Sequence, residues 1–149
     1  MSDEPPAIGY LVKTVQSLLR RRMEESLRPL GLTVSHYSCL FRLRVEPGIS
    51  SAELARATFV TRQSMNEMLQ TLVDRGLVDR AAVASSGRAL AVTLTPAGEA
   101  ALAGAQEAVE AVEARMLSGL TATEASELAR SLASCAIALD EPSADVARG

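Results

Sequence analysis

Residues 60–80 read VTRQSMNEMLQTLVDRGLVDR, and the fold turns on what surrounds this stretch. Met65, Met68, Leu69, Leu72 and Val73 recur at helical spacing and fill one face. The opening turn, Thr61-Arg62-Gln63-Ser64, is wholly polar. Gln63, Asn66 and Gln70 stack at i, i+3 and i+7 on the opposite side. Such a row is either solvated or offered to a partner, and the flanking sequence bears on which.

Upstream, Ser50-Ser51-Ala52-Glu53 is an S-x-x-E capping box, which starts a short helix running to about Ala57. Thr58 to Val60 makes a tight turn, and Thr61 caps the helix quoted above. Two short helices joined this way, the second with a polar leading turn, have the layout of a helix-turn-helix. Downstream, Gly76 ends the helix. Leu77 to Val83 reads as a strand, Ala84-Ser85-Ser86-Gly87 as a turn, and Ala89 to Thr95 as a second strand with Leu90, Val92 and Leu94 alternating. A hairpin directly behind the second helix is the wing of a winged helix-turn-helix. Arg88 stands at its tip.

The rest of the chain is helical. Ile8, Leu11, Val12, Val15, Leu18, Leu19, Met23 and Leu27 give a stripe over residues 7–29, closed by Gly31. Thr33 caps a second helix whose apolar set is Val34, Tyr37, Leu40, Phe41 and Leu43, and Pro47-Gly48 stops it. Thr95-Pro96 opens a long helix through Leu102, Ala105, Val109, Val112, Met116 and Leu117. Thr121-Ala122-Thr123-Glu124, a second capping box, opens a last helix bearing Leu128, Leu132, Cys135 and Leu139. The tail after Pro142 is expected to be disordered. Long amphipathic helices at both ends, with no obvious core of their own to cover, predict burial against a second copy of the chain.

The fold class is therefore mainly α with a small β-hairpin wing. Residues 1-32 and 96-149 are assigned to a helical dimerisation region, and residues 33-95 to a winged helix-turn-helix DNA-binding lobe.

Composition is consistent with this reading. The 149 residues are 48% hydrophobic and 22% charged, which suits a globular domain. No apolar run is long enough to span a membrane. The start, MSDEPPAIGY, is acidic where a signal peptide would be basic, so the cytoplasm is the expected compartment. Net charge is −3, but residues 1–49 carry seven basic and five acidic side chains, residues 50–95 five and four, and residues 96–149 three and nine. The acidity thus lies in the C-terminal third. Phosphate contact is decided locally, because charges beyond about 8 Å are largely screened. Cys39 and Cys135 form no CxxC or Cys/His cluster and sit among apolar residues, so both are expected to be buried, inert thiols. There is no HExxH, no phosphate-cradling glycine loop, and one His. No enzyme activity, metal or cofactor is expected.

The order of elements and the residues together resemble the MarR family of bacterial transcriptional regulators. The carrying motifs are Leu32-Thr33, Pro47-Gly48-Ile49-Ser50-Ser51-Ala52-Glu53-Leu54-Ala55-Arg56, Arg75-Gly76-Leu77-Val78-Asp79-Arg80 and Val92-Thr93-Leu94-Thr95-Pro96-Ala97-Gly98. The match spans about residues 8 to 140. It implies a triangular homodimer that binds pseudo-palindromic operators in double-stranded DNA, as a repressor in the reading favoured here. It also implies that small ligands, or in some members cysteine oxidation, change operator affinity. Two positions depart from the family pattern. Ser86 stands where an Asp usually braces the wing Arg, and Glu67 stands where a basic residue is common.

In the winged-helix setting, Gln63, Asn66 and Gln70 are assigned base-edge contacts, since Asn and Gln pair bidentately with adenine. Thr61, Arg62, Ser64 and Ser51 lie at helix starts, where N–H groups and the dipole favour a phosphate. For Ser50, simple capping is the preferred role. Arg88 is the minor-groove candidate, and Arg75 either reaches the DNA backbone or serves as a helix-end cation. The resemblance puts the effector pocket between dimerisation helices and DNA-binding lobe, with Tyr10, His36 and Tyr37 as the polar-aromatic candidates. His36 falls at N3 of its helix, where a capping-turn role competes. Two alternatives stay open: a winged helix used for protein–protein contact, favoured by net acidity and Glu67, and a thiol-redox-sensing regulator using Cys39 or Cys135.

Overall fold

A computed structural model of the protein describes residues 7–80 and 91–141. The chain runs α1 (Ile8–Leu27), a 3-10 turn (Arg28–Leu30), α2 (Val34–Val45), α3 (Ser51–Ala57), α4 (Arg62–Asp74), β1 (Val78–Arg80), β2 (Val92–Leu94), α5 (Pro96–Met116) and α6 (Ala122–Asp140). It forms two compact units, one ending at Val112 and the other beginning at Glu113, partway along α5.

Within the first unit the caps foreseen from the residue pattern are in place. The Thr33, Ser50 and Thr61 hydroxyls accept from the backbone N–H of His36, Glu53 and Ser64, the third residue of each helix. The stripe expected over 7–29 stops as α-helix at Leu27. Pro29 lacks the N–H that a further α-turn would need, so the chain tightens into a 3-10 turn and leaves through Gly31 at φ 69°. Gly76, at φ 71°, closes α4 in the same left-handed conformation. There the N–H of Leu77 returns to the Leu72 carbonyl and that of Gly76 to Val73.

The turn between α3 and α4 repeats this closure without a glycine. Val60 N–H reaches the Ala55 carbonyl and Phe59 N–H reaches Arg56, with Phe59 itself held at φ 58°. The Phe59 side chain is 97% exposed.

β1 and β2 pair antiparallel in the register Val78 with Leu94, Asp79 with Thr93 and Arg80 with Val92. Both described segments are shorter than the strands read from the sequence. Leu77 and Thr95, expected as strand, fall just outside the ladder. Residues 81–83 and 89–90 of those strands, the turn with Ser86, and Arg88 lie outside the described residues, as does the tail after Glu141. A bridge between Ser50 and Ala91, with Gly48 N–H on the Val92 carbonyl, fastens the hairpin to the start of α3.

One core holds these elements together. Leu27, Leu40, Leu43, Leu54, Met65, Leu69, Leu72, Val78, Val92 and Leu102 are fully buried in it. Gly98 explains how closely α5 starts against β1: a Cβ there would lie 2.0 Å from the Leu77 carbonyl oxygen. Thr95 caps α5, accepting from Gly98 N–H (3.0 Å) while donating to the Gly76 carbonyl (2.6 Å). Phe41, expected among the apolar set of α2, is 39% exposed and carries Arg44 over its ring instead.

The second unit contains α6, opened by the Thr121–Glu124 capping box. The expectation that both cysteines are buried holds for Cys39 and fails for Cys135, which is exposed. Helical spacing placed Cys135 on the apolar stripe of α6 correctly. That stripe, with Leu128 and Leu132, is itself uncovered in the single chain.

Candidate nucleic-acid interface

α3 and α4 are fixed against the core from one side each. Along α4, Met65, Leu69 and Leu72 are fully buried, with Met68 and Val73 packed partly against them. This pins the helix in rotation and turns Arg62, Gln63, Ser64, Glu67 and Gln70 to the exposed side. Asn66 is half-buried at the edge of that row.

At the leading turn, Thr61 Oγ1 accepts from Ser64 N–H (3.1 Å) and donates to Ser64 Oγ (2.9 Å). The amides of Arg62 and Gln63 have no intrahelical acceptor. With an exposed Arg at the first position of the helix, this turn suits a phosphate oxygen. At the start of α3, Ser50 is occupied with capping. Its N–H and hydroxyl both donate to Glu53 Oε2, and its Oγ accepts from Glu53 N–H. Those bonds from Ser50 hold the Glu53 carboxyl below its ordinary pKa. Ser51, next in line, is half-buried.

Each amide of the polar row already has a partner within the protein. Gln63 Nε2 donates to Glu67 Oε1 (3.4 Å), Gln70 Nε2 donates to Asp74 Oδ1 (2.9 Å), and Asn66 Oδ1 accepts from Arg80 Nη2 (3.0 Å). Arg80 closes the motif Arg75 to Arg80, which carries the family resemblance, but the sequence assigns it no site role. It is fourteen positions from Asn66, on a strand, so no helical spacing connects the two. Glu67 acquires a partner here: its carboxylate accepts from the Gln63 side chain one turn away, in a contact open to solvent.

At the far end of α4, Arg75 Nη1 donates to the Gly31 carbonyl (2.8 Å). Any contact with a DNA backbone falls to its remaining N–H groups. The effector candidates occupy different settings. His36 completes the capping box of α2, its Nδ1 accepting from Thr33 N–H at 3.2 Å. It also lines a hollow of about 330 Å³ with Ser35, Val60, Ser64, Glu67, Met68 and Thr71. Burial first, then the Arg75 charge, lowers the His36 pKa, with Glu24 opposing. Tyr37 is half-buried, its ring 6.1 Å from Phe41. Tyr10, on α1, is 67% exposed. Among the described residues no group of three or more His, Cys, Asp or Glu is placed to hold a metal, and no helix is long and apolar enough to cross a membrane.

A short helix, a four-residue connection, a second helix with an outward polar row and an antiparallel hairpin define a winged helix-turn-helix protein. The MarR family model matches residues 30–89. The HTH-type transcriptional repressor Rv2887 of Mycobacterium tuberculosis is 46% identical over 132 residues, covering 89% of this chain and 94% of that protein. Its crystal structure with salicylic acid superposes with a TM-score of 0.73 at 44% identity, covering 91% of this chain and 99% of that one. Its structure in complex with DNA gives 0.75 at 39% identity, over 88% and 98%. The chain belongs to the MarR family of transcriptional regulators.

Proposed function

We propose that this protein is a transcriptional repressor that grips a pseudo-palindromic operator as a homodimer and releases it when a small molecule binds. The observation that carries this reading is α4 itself, rotationally pinned by Met65, Leu69 and Leu72 with Gln63, Asn66 and Gln70 on its free side. Gln63 and Asn66 read base edges in the major groove, with Gln70 further along the same face. Thr61, Arg62, Ser64 and Ser51 seat the phosphate backbone, and Arg88 enters the minor groove. The DNA complex of Rv2887 supports the same use of the fold.

The two dimerisation segments, 1-32 and 96-149, leave apolar faces for a second copy. Ile8, Leu11, Val12, Val15 and Leu18 are exposed on α1, and Leu128, Leu132, Ile137 and Leu139 on α6. Covering even half of each side chain is worth on the order of 1 kcal/mol, ample for a stable dimer. The protein works in the cytoplasm, as a binding protein and not an enzyme. The salicylic acid complex of Rv2887 supports a small aromatic acid as effector. Thiol control through Cys39 is disfavoured, because burial pushes its pKa up to about 12 and leaves almost no thiolate at neutral pH.

The test is footprinting and gel shift on the promoter beside the protein's own gene, with and without salicylic acid. Protected half-sites centred about one helical turn apart, released by the acid, are expected. Absence of any salt-dependent DNA binding would instead favour a winged helix used for protein contact.

A further inference from the structure

The pairing of Asn66 with Arg80 differs in kind from the other two contacts along the row. Gln63–Glu67 and Gln70–Asp74 are exposed, one helical turn apart, and exchange readily with water. Asn66–Arg80 is part-buried and joins α4 to the last residue of β1. Arg80 is held by its backbone pairing with Val92, which is fully buried, and is itself half-buried. Its Nε is shut off from solvent with no hydrogen-bond acceptor among the described residues.

A guanidinium has donors and no acceptor, so it dictates which end of a neighbouring amide faces it. Asn66 must turn its oxygen toward Arg80, and its amide nitrogen is left for a partner outside the protein. We infer that Arg80 is a positioning residue for base readout: it locks the Asn66 amide so that α4 presents N–H donors at this point. Donors select the acceptors of the major groove, N7 and O6 of guanine, N7 of adenine and O4 of thymine, and reject the amino group of cytosine. The inference rests on α4 being the reading helix and deepens that reading. It also links wing to recognition helix, since Arg80 belongs to the hairpin.

The experiment uses the full-length protein and its footprinted operator, with all single-base variants of one half-site measured by quantitative gel shift. Asn66→Ala is expected to abolish preference at one base pair. Arg80→Met, which keeps the stem and removes the donors, is expected to lose about tenfold discrimination at that same base pair and to leave other positions alone. Combined, the two changes should do no more than Asn66→Ala by itself. Asn66→Asp retains the contact with Arg80 but presents an acceptor, and should move the preference toward cytosine. It also covers the case in which Arg80→Met fails to fold.

If Asn66→Ala flattens a position that Arg80→Met leaves sharp, the positioning role is overturned and the reading helix stands. A uniform loss of affinity in Arg80→Met, with preferences intact, overturns it equally. A preference unmoved in Asn66→Asp does the same. If Asn66→Ala changes no base preference, the assignment of Asn66 as a reading residue fails, and this inference fails with it.

Discussion

Arg75 Nη1 donates to the carbonyl oxygen of Gly31 at 2.8 Å, tying the C-terminal end of α4 to the left-handed turn that precedes α2. The two residues come from distant parts of the sequence, so the bond sets where α4 ends relative to the turn that leads into α2. A cation at this end of α4 also complements the helix dipole.

Arg75→Ala should therefore lower stability by about 1 kcal/mol, the modest figure reflecting an exposed charged hydrogen bond. Urea unfolding measures this. If Arg75 acts through the fold, the salt dependence of operator binding stays unchanged in the variant. A phosphate contact would instead reduce the slope of log K against log salt by about one.

Phe59 offers a second test of local structure. It holds φ 58° in the position of a helix closure that glycine normally fills, and its side chain is 97% exposed. A left-handed conformation costs a bulky residue roughly 1–2 kcal/mol, while this ring has almost no packing to lose. Phe59→Gly should thus leave the fold unchanged and hold or raise the melting temperature, the gain trimmed by the greater freedom of glycine in the unfolded chain. A clear fall in melting temperature would show that the ring is packed in the assembled protein.

Much of this architecture was written in short-range chemistry. Thr33, Ser50, Thr61 and Thr121 start their helices as their positions suggested, and Gly31 and Gly76 end theirs. Capping acts over three or four residues, which a single sequence displays directly. The apolar face of α4 was legible for the same reason. What was not legible acts at long range or against propensity. Nothing in the spacing joins Arg80 to Asn66 or Arg75 to Gly31, because strand and turn positions share no period with a helix. Phe59 sits where the backbone geometry is set by hydrogen bonds to Ala55 and Arg56, not by its own preference. The exposure of Cys135 shows the remaining gap: periodicity marks an apolar stripe but does not say whether the chain covers it alone.

His36 gives a pH dependence with a definite sign. Its folded pKa lies below the ordinary 6.5, through burial and then the Arg75 charge, against the opposing pull of Glu24. A group that resists protonation when folded contributes stability that is whole above pH 6.5 and is lost as pH falls below that value. Protonation would also cost the capping box, because Nδ1 accepts from Thr33 N–H and cannot do so once protonated. Denaturant midpoints should fall between pH 7.5 and pH 5.5. His36→Gln, which can accept that N–H at either pH, should show a smaller fall, the carboxylates' own acid dependence being common to both proteins.

Glu67 is an acidic residue on the exposed side of α4, at a position where the family resemblance makes a basic residue the expectation. Its carboxylate accepts from Gln63 Nε2 at 3.4 Å, a contact open to solvent and easily exchanged. Two effects therefore compete when DNA approaches. The negative charge repels phosphates, and the same oxygens can accept from a cytosine amino group. Glu67→Gln removes the charge and keeps an acceptor and the side-chain length. If repulsion dominates, the variant binds operator and unrelated DNA more tightly by a similar factor, several-fold at low salt and less at high salt. If the carboxylate reads a base, operator affinity falls by about tenfold when that cytosine is present, while unrelated DNA is bound no more weakly. Repulsion is the expected outcome, because it acts on every nearby phosphate within the screening length, whereas base reading requires the exposed carboxylate to be desolvated at a single base edge. Gel shifts on operator and random duplex, each at two salt concentrations, separate the two.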